Sequence, residues 1–207
     1  GMIPPGEFLD VFEEDGLIRT LDEYVFREVC ALHKKRMEKN LPPIPISVNI
    51  SRKTLFAPGI VDIYKSIAES YGVETKYIPI EITESLALAN KKIKPIADSF
   101  INAGFELQMD DFGSGESALN GLNMMQFTVV KLDKSLIDFI GQKNGDLILN
   151  YAMALGKELG VQLVAEGVEN INQLAFLRKN NCDVIQGYYF SKPLPLDEFE
   201  AKIDSNF

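Results

Sequence analysis

Acidic and amide side chains recur in this sequence at the ends of short apolar runs. Five of them lie within two residues of the end of such a run or directly follow it: Asn49, Glu81, Asp110, Asp111 and Glu166. If the runs are parallel strands of one sheet, these side chains share one edge of it. Carboxylates a few ångströms apart repel each other, and divalent cations that prefer oxygen ligands supply the missing counter-charge. The set therefore predicts a site for Mg²⁺, Mn²⁺ or Ca²⁺ rather than for zinc.

The neighbouring pair Asp110 and Asp111 is typical of a site for two ions, because one carboxylate can bridge them while the other binds the second. Two ions about 3.5–4 Å apart are the usual means of stabilising the attacking and leaving oxygens in phosphoester hydrolysis. Lys131 lies in an otherwise apolar run, where a buried ammonium group without an acidic partner is costly. It could orient the attacking water or neutralise phosphate charge.

Structural roles compete with these functional ones. Any single acid could be a helix cap or a surface charge, and residues 110–113 could form a loop that caps the next helix. Asp133 has the position of a helix N-cap and is predicted to be structural. His33, which stands among three basic residues, is expected on a solvated helix face.

Six short runs rich in β-branched residues are the predicted strands: Ile46–Ser51, Ile78–Thr83, Phe105–Asp110, Thr128–Leu132, Val161–Ala165 and Asp183–Gln186. Amphipathic segments between them are the predicted helices: Ile18–Lys39, Ile60–Tyr71, Leu86–Ala103, Asp146–Leu159 and Ile171–Asn180. Gly104 and Gly160 follow two of these helices, where a left-handed residue commonly ends a helix. Because the strands are nearly continuous apolar runs, the sheet is expected to be parallel and covered on both faces.

Two parallel architectures fit this alternation, an open doubly wound sheet and a (β/α)₈ barrel. An open sheet would hold its ligand at one crevice beside a glycine-rich turn, and neither GxGxxG nor GxxxxGK[ST] occurs in the sequence. A barrel brings polar residues from many strand ends to one mouth. The sequence therefore predicts an α/β fold of the TIM-like (β/α)₈ barrel class, forming one domain over residues 1–207.

The composition narrows the class of partner. The 207 residues include 21 Lys+Arg and 30 Asp+Glu, a formal net charge of −9. Binding of a nucleic acid polymer needs clustered positive charge and is not expected, whereas a small phosphorylated ligand held by metal ions is compatible. The two cysteines lie far apart without metal-ligand spacing, which predicts reduced thiols in a cytoplasmic protein. No apolar run reaches the length of a membrane segment, and none is expected.

Seven segments, taken in order, resemble the EAL domain, the family of cyclic-di-GMP phosphodiesterases: IPPGEFLDVFEEDGLI, SVNIS, EITES, DDFGSGESAL, VVKLDKSLI, VAEGVE and QGYYFSKPLP. They extend over residues 3–195, and their order is far more specific than any single motif. The resemblance implies hydrolysis of cyclic-di-GMP (c-di-GMP) to the linear dinucleotide pGpG by two-metal-assisted in-line attack of water. It implies Mg²⁺ or Mn²⁺ as cofactor with Ca²⁺ as a candidate inhibitor, a homodimer, and sensory or GGDEF domains fused in the native protein.

The resemblance also assigns roles to individual residues. Metal ligands of the family fall on Asn49, Glu81, Asp110, Asp111 and Glu166. Glu166 also matches a residue that activates water, Lys131 the lysine near the hydrolytic water, and Gln186 a residue near the guanine or metal of the ligand. Residues matching the loop with the D-D-F-G motif, or the carboxylates that hold it, are Phe112, Gly113, Glu84 and Glu169. In the family this loop, here Asp111–Leu119, couples the site to a dimer interface.

The sequence departs from the family pattern at two places. Glu116 stands where Tyr is usual in the loop, and no Glu-Ala-Leu motif occurs, although its Glu is a metal ligand in the family and a nearby Arg contacts phosphate. Related domains carry about two strands before the first matching segment, so the EAL domain is expected to be N-terminally incomplete, with about six of eight strands. This chain is therefore expected to hydrolyse c-di-GMP poorly, and its open strand edges predict association or domain swapping.

These departures leave two other functions open. One is a non-catalytic c-di-GMP receptor or dimerising signalling module of the degenerate EAL type. The other is a protein-interaction scaffold that binds neither ligand nor metal, against which the retained polar residues argue.

Overall fold

Six strands form one parallel sheet in the computed structural model, which describes residues 3–88, 92–114 and 125–204. They follow one another in chain order: β1 Val48–Asn49, β2 Ile80–Thr83, β3 Leu107–Phe112, β4 Val129–Leu132, β5 Gln162–Ala165 and β6 Val184–Ile185. A doubly wound sheet would reverse its strand order at a switch point, whereas a barrel-type sheet keeps the chain order. The predicted fold class and the existence of all six strands are confirmed. Every strand begins one or two residues later than predicted, and β3 ends two residues later, at Phe112.

Ten α-helices lie within the described residues: α1 Leu9–Glu14, α2 Ile18–Glu38, α3 Arg52–Leu55, α4 Ile60–Tyr71, α5 Glu84–Leu88, α6 Ile93–Asn102, α7 Lys134–Ile137, α8 Lys143–Leu159, α9 Ile171–Lys179 and α10 Leu196–Asp204. The predicted helix Leu86–Ala103 corresponds to α5 and α6, with residues 89–91 outside the described part. Gly160 ends α8 in the left-handed conformation, as predicted. No described helix is long and apolar enough to cross a membrane.

The chain divides into two compact units, Gly1–Val129 and Val130–Phe207. In the first unit, an aromatic cluster joins α2, α4 and α6 to the segment that leads into β3. The rings of Phe26 and Tyr64 stack with their centroids 4.3 Å apart, and Phe100 meets Phe105 edge-on at 5.4 Å. Tyr64 belongs to the apolar face of α4, which the i, i+4, i+7 spacing of Ile60, Tyr64 and Ile67 produces. This packing supports the strands that carry the candidate site.

In the second unit, α8 packs on β5 through a glycine. A Cβ atom at Gly156 would lie 2.6 Å from the Leu163 side chain, so a larger residue there would force Leu163 to move. Leu149 and Met153 continue the buried face of the helix. β5 and β6 pair in parallel, with Ala165 beside Ile185. The strand ends that precede Glu166 and Gln186 are therefore neighbours.

Two structural predictions from the sequence have opposite outcomes. The prediction that Asp133 is an N-cap is confirmed, because its Oδ1 accepts a hydrogen bond of 2.9 Å from the backbone N–H of Ser135 at the start of α7. The expectation that His33 is solvated is wrong, since this residue is only 2% exposed. His33 lies seven residues after Phe26 and three after Cys30, which places it on the buried stripe of α2. This position on the helix, rather than the basic residues that follow it in the sequence, determines its burial.

Candidate functional site

Three predicted metal ligands share one face of the sheet in the first unit. Asn49 is the register partner of Glu81, and Asp110 is the partner of Thr83, two residues beyond Glu81 on the same strand. Partners in adjacent strands, and residues two apart in one strand, point to the same side. The alternate positions of the three strands are buried apolar residues: Val48, Ile80, Ile82, Leu107 and Met109. Burial of that opposite set therefore directs the amide and the two carboxylates to a common face.

The two carboxylates on this face are buried, whereas the amide is exposed. Glu81 and Asp110 are 5% and 9% exposed. The hydroxyl of Ser47 donates a hydrogen bond to Glu81 Oε1. Ser47 was not among the predicted site residues, although its place two residues before Asn49 in the S-V-N-I-S segment puts it on the same side of an extended chain.

The D-D-F-G segment turns sharply at the end of β3. Asp111 has a left-handed backbone with φ of 58°, which is uncommon for residues other than glycine and best tolerated by Asn and Asp. The Glu84 side chain is buried, and its Oε2 accepts a 3.0 Å hydrogen bond from the backbone N–H of Gly113. Phe112, which lies between Asp111 and Gly113 in the sequence, is buried. Glu84 thus contacts the loop as the resemblance implies, while its functional role stays a prediction; Glu116 and the rest of the loop to Leu119 lie outside the described residues.

Lys131 and Glu166 form an ion pair in the second unit. Lys131 Nζ lies 2.8 Å from Glu166 Oε1, and the two side chains are 9% and 19% exposed. Lys131 belongs to β4 and Glu166 directly follows β5, and the backbone N–H of Glu166 donates to Leu132 O at 3.1 Å. The buried ammonium group therefore has the acidic partner that its burial requires.

The loop that follows β5 contains Glu169 and is held by the first turn of α9. Asn170 caps α9, and the Gln173 amide oxygen accepts hydrogen bonds from the backbone N–H groups of Glu169 and Asn170 at 2.8 and 3.2 Å. The Glu169 carboxylate is exposed and lies 3.5 Å from Lys134 Nζ. A hydrogen bond to Asp138 raises the pKa of Lys134. Gln173 and Lys134 were not among the predicted site residues, although an Asn-x-x-Gln capping box was readable in the sequence.

Gln186 directly follows β6, and its side chain is exposed. Hydrogen bonds hold both its backbone N–H and its backbone carbonyl. Its N–H donates to Ala165 O at 2.8 Å, and its carbonyl accepts from the Val168 N–H at 3.1 Å. A Cβ at Gly187 would lie 2.2 Å from the Val168 carbonyl oxygen, so the chain passes too close there for any side chain. Gln186 also lines a cavity of about 450 Å³ with residues of the C-terminal segment.

The donor set of the first unit fits a hard divalent cation. Asn49, Glu81 and Asp110 offer only oxygen ligands from one face, which suits Mg²⁺, Mn²⁺ or Ca²⁺ better than zinc. Within the part of the chain that the structure describes, no three His, Cys, Asp or Glu residues form a ready-made metal cluster. The Asn49 amide is the third oxygen donor on the sheet face of Glu81 and Asp110, and its role as a metal ligand stays a prediction.

Comparison with known proteins identifies the class: the chain belongs to the EAL domain family, whose model matches residues 1–193. It is 34% identical over 206 residues to the cyclic di-GMP phosphodiesterase NbdA of Pseudomonas aeruginosa, covering 97% of this chain and 26% of NbdA. It is 32% identical over 202 residues to the cyclic di-GMP phosphodiesterase PdeR of Escherichia coli, covering 97% of this chain and 30% of PdeR. The chain thus spans less than a third of these relatives.

Solved structures show the same fold. The PaMucR phosphodiesterase in complex with c-di-GMP matches with a TM-score of 0.90 and 29% identity, over 96% of this chain and 81% of that one. The EAL domain of Mycobacterium smegmatis DcpA matches with a TM-score of 0.84 and 28% identity, over 89% of this chain and 84% of that one. The fold is therefore the TIM-like barrel type of EAL domains.

Proposed function

We propose that this EAL domain is a c-di-GMP phosphodiesterase in the full-length protein and opens the cyclic dinucleotide to linear pGpG. In this hydrolysis the water oxygen bonds to phosphorus, the bond from phosphorus to the 3′ oxygen breaks, and that oxygen takes a proton. The observation that carries the proposal is the shared sheet face of Asn49, Glu81 and Asp110, an all-oxygen set of the kind that metal-assisted phosphoester hydrolysis requires. Identities of 34% and 32% to the phosphodiesterases NbdA and PdeR support the choice of substrate.

Asn49, Glu81 and Asp110 would hold Mg²⁺ or Mn²⁺, with Asp111 as a further ligand. A bound divalent ion supplies a Lewis acid that neutralises phosphate charge and lowers the pKa of water. Ca²⁺, which prefers more ligands at longer distances, is proposed to bind without supporting turnover.

Lys131 and Glu166 are proposed to manage the proton of the attacking water. Glu166 would accept that proton, and the 2.8 Å contact with Lys131 Nζ restrains the carboxylate in one orientation. The ammonium group can also offset negative charge that develops on phosphate. For Gln186 we propose recognition of guanine, because a side-chain amide both donates and accepts hydrogen bonds.

Turnover by the full-length protein tests the proposal, with pGpG measured by chromatography in Mg²⁺ or Mn²⁺. Glu166→Gln should lower the rate by at least about 100-fold while c-di-GMP binding persists. Asp98→Asn is the matched control, since it neutralises an exposed carboxylate of α6 outside the site and should keep the wild-type rate. Tight binding of c-di-GMP without metal, and no product from the wild type, would instead establish the receptor function.

The 207-residue chain alone should be a poor enzyme. It contains no Glu-Ala-Leu motif, whose Glu the resemblance implies as a metal ligand, and loss of one carboxylate ligand is rarely tolerated by a metal site. Turnover near background is the expected result. Fast Mg²⁺-dependent release of pGpG by this chain would show that another residue replaces the missing Glu.

We propose a homodimer through an exposed apolar stripe on α8. Leu147, Ile148 and Tyr151 are exposed on this helix. Positions 147, 148, 151, 154 and 155 carry Leu, Ile, Tyr, Ala and Leu, an arrangement symmetric about Tyr151. Two antiparallel copies would pair Leu with Leu and Ile with Ala, which is the self-complementarity that a two-fold interface needs.

Light scattering measures this association. Tyr151→Glu should shift the protein to monomers, because it places a charge at the centre of the stripe on both copies. Asn150→Glu adds the same charge on the same helix outside the stripe and should leave the dimer intact. A wild-type protein that is monomeric at all concentrations would exclude the homodimer.

A further inference from the structure

The backbone holds Ser47 and Glu81 together across two parallel segments. Ile46 N–H donates to Tyr77 O at 3.0 Å, Val48 N–H to Pro79 O at 2.9 Å, and Ile50 N–H to Glu81 O at 3.3 Å. The side-chain hydrogen bond from Ser47 Oγ to Glu81 Oε1 joins residues 34 apart in the chain. The backbone donors Ile46 and Val48 flank Ser47 in the chain, and Ile50 continues the same series. The contact of Ser47 with Glu81 therefore belongs to the regular pairing of the two segments.

We infer that Ser47 is a positioning residue that orients the Glu81 carboxylate for the divalent cation. This inference rests on the proposed function. The hydroxyl donates to one carboxylate oxygen, which restricts rotation of the Glu81 side chain and fixes its direction on the face shared with Asn49 and Asp110. Partners that orient a ligating carboxylate typically account for 10–100-fold in metal affinity. Ser47 is uncharged, so it orients Glu81 without competing for the cation.

A purely structural role for Ser47 would have a different signature. Loss of a hydrogen bond to a buried carboxylate lowers stability whether or not a metal binds. A positioning role additionally lowers the affinity for metal in protein that remains folded. Metal affinity and thermal stability must therefore be measured on the same variants.

Mn²⁺ titration by calorimetry on the full-length protein, without c-di-GMP, tests the inference. Ser47→Ala should weaken Mn²⁺ binding by at least about 10-fold. Ser47→Thr keeps the hydroxyl on a strand-compatible side chain and should restore affinity to within about threefold of wild type. Ser70→Ala is the control, because the Ser70 hydroxyl donates to Ile67 O at 2.7 Å on α4, away from the proposed ligands, and its loss should not affect Mn²⁺ binding.

The reference variant Glu81→Gln separates the two proposals. If Glu81→Gln abolishes Mn²⁺ binding while Ser47→Ala binds within twofold of wild type, the positioning role is wrong and the proposed function stands. If neither the wild type nor any variant binds Mn²⁺, the metal-dependent function itself is wrong. Should Ser47→Ala unfold, the comparison of Ser47→Thr with Ser47→Cys decides, since the thiol is a weak donor and should weaken Mn²⁺ binding more than Thr.

Discussion

The two units of the chain hold their acidic side chains in different ways. In Gly1–Val129, Glu81 accepts a hydrogen bond from a hydroxyl and Glu84 from a backbone N–H, and both donors are neutral. In Val130–Phe207, Glu166 pairs with the ammonium group of Lys131. A neutral donor orients a carboxylate without cancelling its charge, whereas an ammonium group does both. The two units therefore show different donors to their carboxylates, a hydroxyl or a backbone N–H in the first and an ammonium group in the second.

Removal of one charge from the first unit should have the largest effect. Asp110→Asn should lower turnover by at least about 100-fold, because Asp110 is the predicted bridging ligand and its loss should weaken binding of both ions. Rates of pGpG formation in the full-length protein measure this, with Asp98→Asn as the control. Turnover within about threefold of wild type would refute the two-metal assignment.

The ion pair of the second unit predicts an effect on stability instead. Lys131→Met should destabilise the protein by about 3 kcal/mol, because it removes the ammonium group that lies 2.8 Å from the Glu166 carboxylate, a side chain only 19% exposed. The double variant Lys131→Met with Glu166→Gln should recover most of that loss. Urea denaturation of the four proteins in the cycle gives the coupling free energy. A coupling near zero would mean that the pair is not an electrostatic unit.

A smaller effect is expected for the contact that anchors the D-D-F-G turn. Glu84→Ala removes the acceptor of the Gly113 N–H and should reduce turnover about 10-fold by loosening the segment that carries Asp111. Glu84→Gln keeps a side-chain oxygen acceptor and should lose less. Hydrogen exchange of the Gly113 amide reports the loosening directly. Equal exchange rates in Glu84→Ala and wild type would contradict this role.

The smallest expected effect concerns how the stability of the fold depends on pH, and it is tested without mutating the acids of either unit. Burial lowers the pKa of His33, the only histidine of the chain, and nearby Arg36 acts in the same direction, against a hydrogen bond with the Tyr77 backbone. The folded state therefore binds a proton at His33 less readily than the unfolded state does. The contribution of neutral His33 to the free energy of unfolding is complete above the unfolded pKa of about 6.5, and it is lost as pH falls through the lower pKa of the folded state.

Denaturation at a series of pH values checks that sign. Wild-type stability should decline as pH falls below about 6.5, and His33→Gln should remove the part of the decline that histidine causes. Identical pH profiles for the two proteins would show that His33 does not titrate differently on folding.

The sequence allowed prediction of the sheet and of the acids at its strand ends, because both depend on local patterns. Apolar runs that contain Glu81 or end in Asp110 located β2 and β3, and glycine after a periodic segment located the end of α8. The contact of Ser47 with Glu81 joins residues 34 apart and depends on the register of β1 against β2, which leaves no local signal in the sequence. The partner of Lys131 was unpredictable for the same reason. The burial of His33 was predictable from the stripe through Phe26 and Cys30, but the basic neighbours obscured it.

The left-handed backbone of Asp111 limits which residues this domain can accept at that position. Asparagine and glycine accept a φ of 58° with little strain, and each is one nucleotide change from aspartate, whereas β-branched residues would distort the turn. The carboxylate can thus be lost by mutation while the turn is kept. A descendant with Asn or Gly here would keep the fold and surface of the domain after losing this predicted ligand. A single substitution could thus convert an active domain of this fold into an inactive but folded homologue. No unfolded intermediate, which proteolysis would remove, is needed.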